Sequence, residues 1–443
     1  MAAFRELSVK NRIKTLQNEG AINEAEAAFL LKQFAESSDT TIPADVANHM
    51  IEHQIGKYTL PVGVVRGLIV NGEVRDVLVA TEEPSVIAAA CNGARIATTS
   101  IEGCIVANSP QYVTTAQIAF EDADGSVAAR LSRIVEDKEK VAELLRIANA
   151  SHPSMSKRGG GARKCRASAL HGFAKLEIDV DTCDAMGANT VNTMGEAVKA
   201  QLESWLDVQA LVAILTNTSR VATTAEVHIP VEALASRRLE DSEREREGKR
   251  LARRIAALSA LAASDPARAA THNKGILNGI AGAALASGND TRALESAAHA
   301  WAARSGRYLP LSKWNTETLN GKTILHGSIE IPLQIGIVGG SISSLPMAKL
   351  AIKIGKYKNA NDFRNTLAAL GLVQNLAALR ALAGPGIQAG HMALQSSNLA
   401  IAAGAKGAEI AEITHNILQF SPAERTTEKV TQLLQKLRES SKN

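Results

Sequence analysis

The clearest pattern in the chain is a stretch of alternating apolar and polar residues from Tyr58 to Ala80. Asn71 to Glu73 interrupts the alternation with a sequence that favours a tight turn, so the stretch predicts a β-hairpin. The hairpin ends at Thr81 to Pro84, and small apolar residues from Ser85 onward predict a helix. Because small side chains let other elements approach closely, we expect this alanine-rich helix to lie buried at the centre of the fold.

After residue 108 the chain changes character, and segments with strand and helix patterns alternate. They are a strand over 112–120, a helix over 126–150, a strand over 169–180, a helix over 184–206, and strands over 211–215 and 226–229. This order predicts a compact α/β unit of about 110 residues, inserted into a larger domain. Between its first helix and its next strand, three glycines flanked by lysine and arginine predict a flexible basic loop that attracts phosphate.

Helical patterns dominate the remainder of the chain. They predict two short helices within 8–36, a helix over 42–56, a long charged helix over 232–263, and helices over 291–304 and 346–383. A hairpin-like region at 324–334 interrupts the last group. After a glycine-rich hinge near His391, alanine-rich and charged helices continue to the C-terminus.

Composition narrows the class of protein. A length of 443 residues favours two or three domains, and 45% apolar with 21% charged residues is ordinary for a globular enzyme. A net charge of +4 and only seven Phe, four Tyr and three Trp argue against nucleic-acid binding. The four cysteines form no C-x-x-C pair, and the chain has neither a signal-peptide pattern nor an apolar run of about 18 residues. We therefore expect a cytoplasmic protein that binds no membrane.

The most suggestive chemistry lies between Asp265 and Asp290. Lys274 stands there among Ala, Gly, Ile and Leu, together with the polar residues Arg268, His272, Asn273 and Asn278. A cation in apolar surroundings loses hydration, so Lys274 is a candidate for stabilising a developing oxyanion, with Asp290 as the partner that keeps it charged. The alternative is a loop before a helix with an ordinary salt bridge.

Two further groups are candidates for proton transfer. Glu82 and Glu83 lie at the predicted strand-to-helix junction, where a half-buried carboxyl can be held neutral as a general acid. Simple capping of the helix N-terminus is the alternative. His391 follows a glycine-rich hinge, which suits a histidine that delivers a proton when a lid closes. An isolated capping histidine is the alternative there.

Two motifs point elsewhere. His49, Glu52 and His53 spell H-x-x-E-H, the inverted zinc-protease signature, but no later helix offers an obvious third ligand. A surface helix with two solvated histidines is the alternative. The G-P-G-I-Q-A sequence at 384–389 follows a predicted helix, so it is not a Rossmann phosphate loop. Gly187, by contrast, follows a predicted strand and opens a helix, where backbone amides can approach a pyrophosphate.

Six sequence segments, taken together, resemble the motifs of one protein family. They are E-H-Q-I-G at 52–56, T-E-E-P-S at 81–85, D-A-M-G-A-N-T-V-N-T at 184–193, R-A-A-T-H-N-K-G-I-L-N-G-I at 268–280, G-N-D at 288–290 and G-I-Q-A-G-H-M-A-L at 386–394. With this order and spacing, the chain resembles the class II 3-hydroxy-3-methylglutaryl-coenzyme A (HMG-CoA) reductases from F-R-E-L-S at 4–8 to beyond His391.

The resemblance implies an α+β fold with a large mixed domain around a central Ala-rich helix. It also implies a small inserted α/β cofactor domain without a Rossmann fingerprint and a helical C-terminal flap. The expected boundaries are 1–108 and 222–384 for the large substrate domain, 109–221 for the small domain, and 385–443 for the flap.

The resemblance also implies residue roles. Lys274 would be the oxyanion cation, Glu83 the proton donor, Asp290 the carboxylate that bridges their network, and His391 the acid that protonates the leaving coenzyme A thiolate. The residues implied in substrate binding are Arg5, Ser85, Arg268, Asn278 and Gln374. Those implied in cofactor binding are His152, Lys157, Arg158, Asp184, Met186, Gly187, Asn189 and Asn217.

The implied reaction transfers two hydrides from NAD(P)H to the HMG-CoA thioester, giving mevalonate and free coenzyme A, or runs in the reverse direction. No metal has a role in it. Where NADH users of the family carry an acidic residue, this chain has His152 near basic residues, so we expect NADPH to be preferred, with NADH possible. The resemblance implies a homodimer with shared active sites, and a higher oligomer remains open. A zinc-dependent hydrolase built on 49–53 and a non-catalytic helical scaffold are the alternatives.

Overall fold

The computed structural model describes residues 4, 7–32, 42, 46, 49–55, 57–384, 396–421 and 424–440. Two predicted site residues, Arg5 and His391, lie outside the described residues, as does nearly all of the glycine-rich hinge. The described residues form a mixed α/β fold. Its two largest hydrophobic cores draw on residues 65–107 with 225–383 and on residues 116–213, respectively.

The N-terminal part contains the predicted hairpin. The elements are α1 (Val9–Asn18), α2 (Glu24–Lys32), β1 (Val62–Val70), β2 (Glu73–Ala80), α3 (Val86–Ala97) and β3 (Val106–Asn108). Strands β1 and β2 pair antiparallel, with Val70 opposite Glu73. The two turn residues between them, Asn71 and Gly72, both have positive φ angles, as a type I′ turn requires. The hairpin prediction is confirmed.

The small unit is built on one antiparallel sheet. Its elements are β4 (Thr114–Glu121), α4 (Ser126–Glu136), α5 (Lys138–Ser151), α6 (Pro153–Lys157), β5 (Gly161–Leu170), β6 (Phe173–Asp181), α7 (Ala188–Leu206) and β7 (Val212–Leu215). The strand order is β5-β6-β4-β7. The core of this unit draws on residues from Ala116 to Ala213, so it closes within one continuous segment of the chain.

Three predictions for this unit need correction. The single helix expected over 126–150 is broken at Asp137, whose side chain accepts hydrogen bonds from the first backbone amides of α5. The basic loop is shorter than expected, because Arg163 and Lys164 lie on β5, which pairs with β6. A register shift between Ala162 and Lys164 disturbs the alternation that would have marked this strand. The strand expected at 226–229 belongs to the large domain.

The remainder of the large domain follows the small unit. Its elements are β8 (Thr223–Pro230), a 3₁₀ turn (Val231–Leu234), α8 (Asp241–Ser264), α9 (Pro266–Ala286), α10 (Thr291–Ala302), β9 (Ser312–Leu319), β10 (Lys322–Ile331), a 3₁₀ turn (Gly340–Ser343), α11 (Pro346–Gly355) and α12 (Ala360–Ala383). A second antiparallel sheet has the order β3-β8-β10-β9. The long charged helix predicted from residue 232 therefore begins nine residues later, at Asp241.

The central helix is α12, and α3, which we expected at the centre, packs against it. The backbones come close where glycines remove the side chains. An ideal Cβ at Gly93 of α3 would lie 2.2 Å from the carbonyl oxygen of Val373, and one at Gly371 would lie 2.6 Å from Ile280 of α9. Helix α12 is long and apolar enough to cross a membrane, but 78% of its most apolar window is buried inside the protein. It is therefore a core helix.

The C-terminal residues form a separate helical unit. Residues 396–402 are helical, and α13 (Ala408–Ile417) and α14 (Thr427–Ser440) follow. Its small core contains residues from all three helices, including Ala400, Ile413 and Val430. This unit lies in the part of the chain where a helical flap is expected.

Candidate active site

The segment from Asp265 to Asp290 forms a helix and its following turn. Asp265 accepts a hydrogen bond from the amide of Ala267, and Pro266 occupies the first turn of α9. The residues after Asp265 are therefore helical and do not form the loop that was considered as the alternative. Lys274 and Asn278 are four residues apart and therefore lie on one face of α9. Both contact the same carboxylate: Lys274 Nζ is 2.8 Å from Glu83 Oε2, and Asn278 Nδ2 is 3.4 Å from Glu83 Oε1.

Glu83 reaches this pair from the connection between β2 and α3. Its backbone amide donates to Thr81 Oγ1 over 3.1 Å. Ser85, two residues later, caps α3 with a φ of +75°, a left-handed conformation that costs energy for a residue with a side chain. The connection is thus held in a specific and strained shape. Strain of this kind is concentrated at functional sites.

The ion pair is more exposed than we expected. The side chains of Lys274 and Glu83 are 61% and 42% exposed, respectively. The expected desolvation of the Lys274 cation is therefore not seen among the described residues, because Lys274 projects from the solvent side of α9. Glu83 is half-buried as predicted, but Lys274 pairs with it directly.

The opposite face of α9 is structural. His272 Nε2 lies 2.7 Å from Ser312 Oγ, and Asn273 bridges the backbone of Leu309 and Leu311. Both residues are buried, and burial together with the nearby Arg268 lowers the pKa of His272 to about 4. His272 is therefore neutral at physiological pH. The motif H-N-K-G thus contains two anchoring residues and one residue that faces the site.

Asp290 is placed differently from the prediction. It is the N-cap of α10, and its carboxylate accepts hydrogen bonds from the amides of Arg292 and Ala293. Although burial favours the neutral acid, these contacts and the Arg292 guanidinium hold the pKa of Asp290 below its usual value. Its ionic partner is Arg292, and that of Lys274 is Glu83. A direct Asp290–Lys274 pair is therefore a correction to the sequence interpretation.

The other residues predicted to bind substrate lie on α9 or on α12, which packs against it. Arg268 is half-buried in the first turns of the helix. Gln374 lies on α12 and is buried, and its Oε1 has no hydrogen-bond partner in the described part of the chain. This oxygen is 3.0 Å from the position that a Cβ at Gly279 would take, next to Asn278. An unpartnered buried amide oxygen beside Asn278 is available to accept a hydrogen bond from a ligand.

The cofactor candidates gather at the N-terminus of α7. Gly187 caps this helix with a φ of +84°, and a Cβ there would lie 2.2 Å from Thr182. Glycine is therefore required at this position, and it leaves the first amides of α7 without a side-chain cap. The neighbours Met186 and Asn189 are half-buried and exposed, respectively. Such a helix N-terminus attracts phosphate groups.

His152 contacts the same helix end, and two exposed basic residues follow it in the chain. His152 Nε2 is 3.3 Å from Thr190 Oγ1 in the first turn of α7, and Lys157 and Arg158 are exposed nearby at the end of α6. Gly160 permits this approach, because a Cβ there would lie 2.6 Å from the carbonyl oxygen of Asp181. The structure therefore brings these predicted cofactor residues to one edge of the small unit.

Two cofactor candidates are located differently. Asp184 accepts a hydrogen bond from the Ala360 amide over 2.7 Å, so its carboxylate holds the N-terminus of α12. Asn217 is exposed in the loop after β7. The structure thus gives Asp184 an anchoring contact between the small unit and the large domain.

Arg364 is a residue that the sequence analysis missed. It is buried on α12, where its guanidinium donates to the carbonyl oxygens of Leu333 and Ile335 and stacks on the Tyr112 ring at 4.5 Å. Burial lowers the pKa of Arg364 to about 10 and raises that of Tyr112 to about 12. No sequence signal marked this role, because Arg364 lies among the polar residues at the start of α12. The contact fixes the start of the small unit to the central helix.

The H-x-x-E-H motif does not lie on one helix face. His49 and Met50 are helical, but Ile51 forms a bend and Glu52 and His53 form turns. His53 has a φ of +53°, so the helix predicted to reach residue 56 ends before both histidines can lie one turn apart. The geometry of an inverted zinc-protease site is therefore absent from residues 49–55, and the helix prediction there was wrong.

Comparison with known proteins identifies the family. A model of the hydroxymethylglutaryl-coenzyme A reductase family matches residues 8–396. This chain belongs to that family. The reductase of Archaeoglobus fulgidus is 36% identical over 411 residues, covering 92% of this chain and 88% of the relative. A probable reductase of Borreliella burgdorferi is 35% identical over 410 residues, covering 90% and 88%, respectively.

Solved structures agree with this assignment. The reductase of Streptococcus pneumoniae matches with a TM-score of 0.79 and 35% identity, covering 98% of this chain and 99% of the other. A second structure, described as the class II enzyme of Streptococcus pneumoniae bound to NADPH in open conformations, matches with a TM-score of 0.78. It is 35% identical and covers 86% of this chain and 98% of the other. The chain therefore belongs to class II of this family.

Proposed function

We propose that the protein reduces the thioester of HMG-CoA to mevalonate and free coenzyme A, with oxidation of two NADPH. The observation that carries this proposal is the contact of Lys274 and Asn278 with Glu83, in a chain of this family. It brings a cation, an amide donor and a carboxyl group to one place. These are the groups that a carbonyl needs when it accepts a hydride and then a proton.

Lys274 acts on the oxygen of the carbonyl. When the thioester carbon accepts a hydride, negative charge develops on that oxygen, and the Lys274 ammonium stabilises it. Collapse of the adduct expels a thiolate, which His391 protonates; the pKa of a thiol is about 8.5. The aldehyde then accepts a second hydride, and Glu83 supplies the proton to the resulting alkoxide. Two hydrides and two protons balance the conversion of the thioester to an alcohol and a thiol.

The remaining candidates bind and position the substrate. We assign Ser85, Arg268, Asn278 and Gln374 to the hydroxymethylglutaryl group, Arg5 to the coenzyme A phosphates, and Asp290 to the network around Lys274. Asp290 reaches that network if the closed, substrate-bound state separates it from Arg292. Arg5 and His391 lie outside the described residues, so their roles rest on the sequence motifs.

The edge of the small unit fits a dinucleotide. The uncapped N-terminus of α7 at Gly187 offers amides to a pyrophosphate, and His152, Lys157 and Arg158 offer positive charge to a 2′-phosphate. When bound, the nicotinamide supplies hydride. We assign Asp184, Met186, Asn189 and Asn217 to the same site, and we propose NADPH as the preferred cofactor. We further propose a cytoplasmic homodimer with shared active sites.

The stoichiometry of the reaction tests the proposal. Purified protein is incubated with HMG-CoA and NADPH, while nicotinamide absorbance and free thiol are recorded together. We expect two NADPH oxidised for each coenzyme A released. A hydrolase would release coenzyme A without oxidising NADPH, and a scaffold protein would change neither signal; either result would refute the reductase.

A further inference from the structure

The outer face of the β3-β8-β10-β9 sheet carries two adjacent histidines. Helix α12 covers the other face of this sheet. His228 on β8 is directly opposite His326 on β10 in the antiparallel register. Their rings stack with centroids 4.5 Å apart and planes inclined by 17°. The pair is partly buried although it faces away from the core.

A carboxylate on the neighbouring strand completes a group of three. Glu317 lies on β9, diagonal to His326, and its Oε1 is 2.8 Å from His326 Nδ1. One ligand atom from each of His228, His326 and Glu317 lies within 4.8 Å of the other two. Two imidazole nitrogens and one carboxylate oxygen are a donor set typical of zinc.

Other polar groups on this face support the three. Glu102 Oε1 is 2.7 Å from His228 Nδ1, so a carboxylate orients this imidazole and leaves Nε2 for a ligand, as in many metal sites. Asn315 donates to Glu317 from the same strand. His326 Nε2 is buried without a hydrogen bond from the described residues, and the nearest carboxylate, that of Glu226, is 4.0 Å away.

We propose that His228, His326 and Glu317 bind one divalent transition-metal ion of the zinc type. Ligands around a tetrahedral zinc are separated by about 3.4 Å, because each lies about 2.1 Å from the metal. Rotation of Glu317, whose side chain is 42% exposed, together with adjustment of the rings, closes the present spacing. A water molecule takes the fourth position. The carboxylates of Glu102, Glu226 and Glu317 also attract a cation to this face of the sheet.

The ion would join three strands rather than take part in the reduction. None of its ligands belongs to the Lys274–Glu83 site, so the proposal stands independently of the proposed reaction. A metal that binds only the folded state stabilises it by mass action. Zinc is therefore expected to raise the melting temperature, and magnesium, which requires oxygen ligands, is expected to have no effect.

Calorimetric titration of the full-length, chelator-treated protein with zinc chloride tests the site. We expect one zinc per chain, with at least tenfold weaker binding in both His326→Gln and Glu317→Gln. His171→Gln is the matched control, because His171 is exposed in the turn between β5 and β6. Glu317→Gln is nearly isosteric and exposed, so its fold is expected to be retained, and melting curves without metal verify this.

Two results would overturn the proposal. One is zinc affinity that stays unchanged in His326→Gln and Glu317→Gln. The other is zinc binding that disappears in His49→Gln but persists in both of these variants, which would place the ion at residues 49–53. A zinc-induced rise in melting temperature that is present in the parent and absent in Glu317→Gln supports the site on the sheet.

Discussion

Lys274 and the two residues that precede it make contacts on different sides of helix α9. His272 and Asn273 attach α9 to the strand region that begins at Leu311, and Lys274 projects toward Glu83. The position of the ammonium is thus set by buried hydrogen bonds that it does not make itself. Buried, satisfied polar groups of this kind give a site geometric precision.

Removal of the ammonium tests its role in the reaction. We expect Lys274→Ala to lower kcat by roughly 100-fold or more, since one preorganised electrostatic contact is often worth that much. Steady-state NADPH oxidation measures the effect, with Lys322→Ala on the exposed end of β10 as the control. Activity within about threefold of the parent would remove Lys274 from the mechanism.

The buried His272 makes stability depend on pH. Its pKa is about 4 in the folded protein and about 6.5 when exposed, so protonation favours the unfolded state. This contribution to stability is present above pH 6.5 and is lost as the pH falls toward 4. Between pH 7 and pH 5 we expect a loss of about 2 kcal/mol from this residue.

Denaturant unfolding at the two pH values measures this loss. His272→Gln has no titrating ring, so it is expected to lose correspondingly less stability on acidification than the parent. The difference between the two pH slopes isolates His272 from the other titrating groups. Equal slopes in the two proteins would show that His272 takes up no proton on unfolding.

We propose that His152 influences the choice between NADPH and NADH. His152 contacts the first turn of α7, beside the exposed Lys157 and Arg158. We expect the parent to favour NADPH over NADH by about tenfold in kcat/KM, equivalent to about 1.4 kcal/mol. His152→Asp is expected to raise the KM for NADPH and to shift preference toward NADH, because a carboxylate repels a 2′-phosphate. Unchanged preference in this variant, as in the control His171→Asp, would separate this loop from the cofactor.

Among the elements, the packing of α3, α9 and α12 depends on glycine. Gly93→Ala would place a methyl group against the backbone of α12 at Val373, which cannot move aside as a side chain can. We expect a loss of about 1–3 kcal/mol in the free energy of unfolding. Gly275→Ala on α9 is the matched control, since nothing lies within 4 Å of the added Cβ. Because alanine favours helices, the control is expected to gain about 0.5–1 kcal/mol. A neutral Gly93→Ala would contradict the close packing.

The sequence was informative where one physical signal dominated. The alternation around Asn71 and Gly72 predicted the first hairpin, which the structure contains. The order of motifs predicted Glu83, Lys274 and Asn278 as site residues, and the structure brings their side chains into contact. The sequence was less informative where a local irregularity or a distant contact decided the result. The bulge in β5 hid a strand, and the carboxylate that pairs with Lys274 comes from a segment 191 residues away in the chain.

The centre of the fold was misjudged for a similar reason. Helix α3 and helix α12 are both rich in alanine, and composition does not reveal which is surrounded on all sides. Only the assembled structure shows that α3, α9 and the sheet pack around α12. The role of Arg364 was likewise invisible, because its acceptors are carbonyl groups of residues 333 and 335.

At the scale of the whole molecule, the small unit is attached to the central helix at several points. Asp184 accepts a hydrogen bond from the Ala360 amide, Ser109 donates to Asn365 over 2.8 Å, and the Arg364 guanidinium stacks on the Tyr112 ring. Any movement of the small unit relative to the central helix must therefore occur without breaking a junction that is partly buried. This favours small rotations about the 109–112 segment over a large separation of the domains.

The oligomeric state of the protein provides the last prediction. We expect light scattering coupled to gel filtration to give at least twice the chain mass of 46.7 kDa, at concentrations used for the assay. An active monomer would refute the proposal that two subunits share each active site. Dilution until the mass falls should lower the specific activity in parallel.

The two hydrophobic cores can form at different times while the ribosome synthesises the chain. The small unit closes its core between Ala116 and Ala213, whereas the large core waits for α12, which begins at Ala360. Helix α3 ends at Ala97, so about 260 residues must be translated before its partner exists. At bacterial-like synthesis rates this takes roughly 13–52 s. During that interval the apolar faces of the first hairpin and α3 lack their final contacts, and exposed apolar surface of this kind favours binding by a chaperone that acts during translation.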